Sequence, residues 1–133
     1  MNADLGADLR RFVDGHFAAL PAVSGADHAA LLAAAGDGTP LVLTGDAVAR
    51  VLRSFKTGVI TTTQVRDWAF FVWRRYFDRP GVAVAPVPLP LEWESEHAAA
   101  IERIVERLDE LSDPQSEPVT DHELEAMLAS LGH

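Results

Sequence analysis

The aromatic residues of this 133-residue chain are concentrated in one short segment. Six of the ten lie between Trp68 and Phe77, in a stretch that is apolar around most of a helical circumference. Other elements must cover such a helix, because water would otherwise contact its large apolar side chains. The segment therefore predicts a buried central helix, opened by the threonines at 61–63 and ending near Phe77.

Apolar residues at spacings of three and four predict five further helices. These are residues 3–20, Ser24 to Ala35, Thr44 or Asp46 to Gly58, Trp93 to Leu111, and a last helix capped by Thr120 and Glu123 that ends at Leu131 and Gly132. Pro21 is expected to end the first helix. The apolar run 41–43 is either a strand or a lead-in to the third helix.

Residues 79–92 form a proline-rich connector, with prolines at 80, 86, 88 and 90. Alternate prolines exclude a helix and favour an extended path. Apolar side chains between them favour a strap that packs across the surface; the alternative is a spacer between two subdomains. The fold class is all-α, a compact bundle of about six helices in a single domain over residues 1–133. Its C-terminal hairpin is expected at 93–133.

Composition excludes several kinds of chemistry. The chain has no cysteine, which removes disulfides, zinc-thiolate sites and thiol nucleophiles. It has no stretch near 18 apolar residues, so no membrane association is expected. The N-terminus lacks the basic start and apolar run of a signal peptide, which predicts a cytoplasmic protein.

Negative charge is confined to the C-terminal part of the chain. Residues 1–91 carry nine basic and eight acidic side chains, a net of +1, whereas residues 92–133 carry two basic and twelve acidic ones, a net of −10. Seven basic residues lie in the segment 50–79. The acidic part either pairs with that basic segment or faces a basic partner, and a further alternative is that the charge serves solubility alone. The acidic net field disfavours nucleic acid as that partner.

Sequence motifs assign no catalytic residue, cofactor or metal. The Glu94-x-x-His97 pair has the spacing used in di-metal carboxylate bundles, but the chain holds a single copy. Glutamates at the start of a helix also interact favourably with its dipole, which explains Glu94 without a metal. The chain lacks a Gly-x-Ser-x-Gly elbow and a phosphate-binding glycine loop.

The run from Phe55 to Trp68, the proline-rich connector and the acidic hairpin with its Val119 to Leu124 junction together resemble small acidic helical bacterial immunity proteins. The likeness covers residues 48–131. It implies a cytoplasmic protein that occupies the active site of a cognate toxin, often a nuclease with a basic substrate cleft. An acidic surface fits such a partner, since it mimics phosphate and speeds association.

The sequence therefore predicts a protein-binding module, of an immunity or inhibitory type, and not an enzyme. Its expected binding residues are an aromatic anchor and nine carboxylates, namely Trp93, Glu102, Glu106, Asp109, Glu110, Asp113, Glu117, Asp121, Glu123 and Glu125. Two alternatives stay open. One is a small enzyme or metal-binding protein that uses Glu94 and His97, and the other is a structural domain that forms homo-oligomers.

Overall fold

The computed structural model describes residues 2–36, 41–77, 88–113, 115 and 117–133, with the side chains of residues 2–4 and 112 outside that description. In this part the chain forms seven α-helices and two short strands. They are α1 (Asn2–Val13), α2 (Leu20–Ser24), α3 (His28–Ala35), β1 (Leu41–Leu43), α4 (Gly45–Lys56), α5 (Thr62–Arg74), β2 (Leu91–Trp93), α6 (Ala98–Asp109) and α7 (Asp121–Ser130). Single 3-10 turns cover Phe17–Ala19, Ser95–His97 and Glu110–Ser112. The mainly helical fold class is confirmed.

The expected first helix ends early, at Val13, and a separate short helix, α2, begins at Leu20, which is why the helices exceed the predicted six. The break is at Gly15, whose φ of +91° is in the left-handed region. A Cβ there would lie 2.9 Å from Cγ2 of Val51, so this close approach to α4 requires glycine.

The role predicted for Pro21 is wrong. Pro21 lies in the first turn of α2, where a missing N–H has no helical partner to lose. The following helix, α3, begins after Asp27 and not at Ser24. Its predicted stop includes residues 37–40, which lie outside the described residues.

The two strands pair in parallel, Leu41 with Leu91 and Leu43 with Trp93. The apolar run at 41–43 is therefore a strand. The prediction that a helix starts at Trp93 is wrong, because Trp93 ends β2 and α6 begins only at Ala98. The alternation explains the strands: Leu41 and Leu43 are buried while Val42 between them is 38% exposed.

Only the end of the proline-rich connector belongs to the described residues, since residues 78–87 lie outside them. There, Leu89 is buried and its N–H donates to the Arg75 carbonyl at 2.9 Å. This end packs on the domain, as the strap interpretation predicts. Whether 79–87 do the same stays a prediction.

The predicted threonine caps and glycine helix ends are confirmed. The Oγ1 atoms of Thr44, Thr61 and Thr120 each accept a hydrogen bond from the backbone N–H three residues on. Gly58 and Gly132 have positive φ after α4 and α7, as a helix end favours. These caps involve residues close together in the sequence, which makes them predictable from it.

Helix α5 is the buried centre that its composition predicts, although it ends at Arg74 and not near Phe77. Trp68 is 0% exposed, and its Nε1 donates to the Phe12 carbonyl at 3.0 Å. Phe12 and Phe71 meet edge to face with ring centroids 5.6 Å apart. Arg75 ends the helix in the left-handed conformation, which turns the chain before Phe77.

We expect Trp68→Phe to lower the free energy of unfolding by about 2–4 kcal/mol, because it leaves a cavity and a carbonyl without its donor. Urea denaturation measures this. Trp73→Phe is the matched control, since Trp73 is partly exposed, and it should cost less than half as much. Equal losses for the two variants would contradict the central position of Trp68.

Candidate functional site

Helix α6 belongs to the acidic segment, residues 92–133, and has a buried inner side and an exposed outer side. Its buried residues are Ala100, Ile101, Ile104, Val105 and Leu108. On the outer side Glu102 and Glu106 are exposed, one helical turn apart. Within the part of the chain that the structure describes, neither carboxylate takes part in an ion pair. Arg103, three residues before Glu106, likewise forms no ion pair with the described residues.

Two carboxylates of the acidic segment point towards the basic segment 50–79 instead. Asp109 Oδ2 lies 3.5 Å from an Nη of Arg74, and Glu125 Oε1 lies 2.9 Å from Lys56 Nζ. The hydrogen bond from Lys56 lowers the pKa of Glu125. For these two residues the attraction between the charged segments occurs within the molecule.

Arg107 joins α6, the following turn and α7. Its Nε donates to Glu123 Oε2 at 2.7 Å and its Nη2 to Glu123 Oε1 at 3.3 Å, so the carboxylate is held by two bonds. Nη2 also donates to the Glu117 carbonyl at 2.9 Å, and Nη1 lies 3.7 Å from Glu110. The Glu123 carboxylate raises the pKa of Arg107 above its usual value. The C-terminal hairpin is therefore fastened by one arginine.

This arrangement uses Glu123 differently from its predicted role. A full capping box requires the Glu123 side chain to accept from the Thr120 N–H. In the structure its two oxygens are bonded to Arg107 instead. The backbone half of the cap, Glu123 N–H to Thr120 Oγ1, is present at 3.1 Å.

Three more exposed carboxylates follow α6, Asp113 and Glu117 in the turn and Asp121 at the start of α7. Asp113 Oδ1 accepts from the Gln115 N–H at 2.9 Å, and the other two make no side-chain hydrogen bond to described residues. Of the nine predicted carboxylates, five thus face outward without an ion pair in the described part, while Asp109, Glu110, Glu123 and Glu125 have basic partners.

Trp93 is half-buried and packs against another tryptophan. Its ring lies 5.7 Å from that of Trp73, at an interplanar angle of 34°. Its Nε1 is buried and has no hydrogen-bond partner among the described residues. The ring therefore joins β2 to α5, and most of its contact surface is already used inside the molecule.

Glu94 and His97 form a tight junction between β2 and α4. His97 Nδ1 lies 2.6 Å from Glu94 Oε1, and the same oxygen accepts from the Gly45 N–H at 3.1 Å. A Cβ at Gly45 would lie 3.0 Å from the His97 ring, so glycine leaves room for the imidazole. Glu94 thus caps a helix more than forty residues away, a role that sequence reasoning missed because it depends on the β1–β2 pairing.

These two hydrogen bonds, led by that with His97 and followed by that with the Gly45 N–H, lower the pKa of Glu94. The carboxylate is ionised at neutral pH and is engaged on both sides. Among the described residues no group of three or more His, Asp or Glu side chains is placed to hold a metal ion. In the same residues, no helix has the length and apolarity needed to cross a membrane.

No protein-family model, curated protein or solved structure matches the chain. The resemblance to immunity proteins therefore stays a prediction.

Arg107→Gln is expected to lower the free energy of unfolding by about 1–3 kcal/mol, because a partly buried Glu123 carboxylate loses both its bonds. Hydrogen exchange should rise mainly in α7. Arg103→Gln removes the same charge from an exposed position and should change stability by less than about 0.5 kcal/mol. Matching losses in the two variants would show that charge alone matters.

Glu94→Ala is expected to cost about 0.5–1 kcal/mol at pH 7, the range of a helix cap. The lowered pKa of Glu94 means that its ionised form stabilises the fold above the ordinary value of 4.5. That contribution is lost as the pH falls through the lowered folded-state pKa, so wild type and variant should converge in acid. Thermal unfolding from pH 3 to 7 measures this, with the exposed Glu96→Ala as control. A gap that does not narrow as the pH falls would exclude the carboxylate as its source.

Proposed function

We propose that this protein is a binding module that presents its outward carboxylates to a basic surface of another protein, in the manner of an immunity-type or inhibitory protein of the cytoplasm. The observation that carries the proposal is that Glu102 and Glu106, on the outer side of α6, are exposed and form no ion pair with the described residues. Asp109 and Glu110, which follow them in the chain, lie within ion-pair distance of Arg74 and Arg107.

The geometry of α6 supports recognition by a protein surface. Its inner side is fixed against α5 by large apolar residues, so the outer carboxylates are held on a rigid helix. The hydrogen bonds of Arg107 place Glu117 and the start of α7 beside the end of α6. Binding to a preorganised face loses less conformational entropy than binding to a mobile loop.

Charge also favours a protein partner over nucleic acid. Phosphates require a basic footprint, and the exposed charged side chains described on α6 and in the turn after it are acidic except for Arg103. Complementary charge chiefly raises the association rate and fixes orientation, with an effect that falls as salt rises. A basic cleft, such as the substrate cleft of a nuclease toxin, is the partner chemistry that this surface matches best.

The test is affinity capture from a lysate of the source organism, with partners identified and quantified by mass spectrometry. Glu102→Gln/Glu106→Gln should reduce recovery of the wild-type partner at least about tenfold at low salt, because two interface charges are lost. Recovery by wild type should fall as salt is raised. Both substitutions are on exposed positions, so folding should be unaffected.

Glu92→Gln/Glu96→Gln is the matched control, since it removes the same charge from two other exposed glutamates of the acidic segment. It should recover the partner within about twofold of wild type. Equal recovery by all three proteins would overturn the proposal. If light scattering shows that the recovered partner is a second copy of this chain, the oligomerising alternative replaces it.

A further inference from the structure

A cleft of about 480 Å³ lies away from the acidic hairpin, between the turn that follows α1, helix α4 and the start of α5. Its size is within the range of pockets that hold small molecules. Its lining includes His16, Phe17, Arg50, Ser54, Val59 and Ile60. None of them is acidic, in a chain whose net charge is −9.

Arg50 supplies a fixed positive charge to this cleft. Its guanidinium donates through Nη1 to the Asp14 carbonyl, which holds the group without neutralising it. No carboxylate of the described residues lies within ion-pair distance of Arg50. An arginine has five N–H donors, so donors remain for a ligand. The hydrogen bond that links α4 to the turn after α1 uses only one of these donors.

Neutral polar groups and an apolar wall complete the lining. The Ser54 hydroxyl lies one helical turn after Arg50, and the exposed His16 lies on the facing turn. The apolar part consists of the half-buried Phe17, the buried Ile60 and Val59, which is 75% exposed. A large apolar side chain this exposed at the rim of a cleft offers contact area to an apolar ligand.

The cleft is built by the backbone and is not left by loose packing. Gly15 brings the turn after α1 so close to α4 that a side chain at that position would collide with Val51. On the other side, both Val59 and Ile60 donate their N–H groups to the Ser54 carbonyl, at 2.9 and 3.3 Å. These bonds fold the turn after α4 against the helix, so two walls are preformed.

We propose that this cleft binds a small organic carboxylate with an apolar body, the carboxylate on Arg50 and the body on Phe17 and Val59. A guanidinium matches the planar geometry of a carboxylate through two parallel hydrogen bonds. This cleft shares no residue with the outward carboxylates of α6 and α7, so either proposal can fail without the other.

The test is a titration of the isotope-labelled full chain with phenylacetate, followed by NMR. We expect saturable shifts confined to residues 15–18, 50–54 and 59–64, with a dissociation constant on the order of 1 mM, as befits a fragment of this size. Phenylacetamide has the same shape without the charge and should bind at least about tenfold more weakly. Acetate, which lacks the apolar body, should not saturate the shifts.

Variants assign the contacts. Arg50→Gln should weaken phenylacetate binding at least about tenfold, whereas Arg50→Lys should retain part of it because the charge stays. Val59→Glu, at an exposed rim position that leaves the fold intact, should also abolish binding, because it adds a like charge and removes apolar contact. Arg103→Gln, which removes a positive charge elsewhere, should bind as wild type does.

Equal binding of phenylacetate and phenylacetamide would overturn the proposal, as would unchanged binding by Val59→Glu. Shifts that do not saturate, or that spread over the molecule, would show that the cleft is not a carboxylate site. If Arg50→Gln fails to fold, the Val59→Glu variant and the amide probe still decide the question.

Discussion

Helix α5 places apolar residues around most of its circumference, and the rest of the fold is arranged to cover them. Trp68 donates to the end of α1, Phe71 packs on Phe12, and α6 lies along another side. Burying a large side chain completely is worth about 1.5–3 kcal/mol, more than an exposed ion pair of about 0–1 kcal/mol. Apolar contact therefore sets the position of α6, and the charged residues of α6 lie on the sides of the helix that do not take part in this packing.

That order explains why a uniform run of negative charge divides into two groups in space. The helical period turns Asp109 towards the basic segment and leaves Glu102 and Glu106 outside. Sequence charge counts could not separate the two explanations, because they do not record which side of a helix a residue occupies relative to a distant neighbour. Pairing within the molecule holds for Asp109 and Glu125, and the outward group is the part to which the proposed recognition is assigned.

Features governed by neighbours along the chain could be predicted, and those governed by distant contacts could not. The threonine caps and the helix end at Gly58 can be predicted from a few adjacent residues, and the run of aromatic residues indicates the buried helix. The pairing of β1 with β2 involves three residues on each strand, too few for a periodic pattern to reveal. The role of Glu94 depends on that pairing, and the cleft around Arg50 depends on contacts between the turn after α1 and helix α4, so composition and motifs carried no signal for either.

The double cap on α4 has a consequence for how the molecule opens. Thr44 caps the helix from within its own turn, but the Gly45 N–H is satisfied only when Glu94 has arrived on β2. Strands this short are not stable alone. The first turn of α4 and the entrance to α6 therefore form one cooperative unit, in which neither end frays without exposing the other. Gly45 and Glu94, which are 49 positions apart in the sequence, are therefore expected to become ordered together.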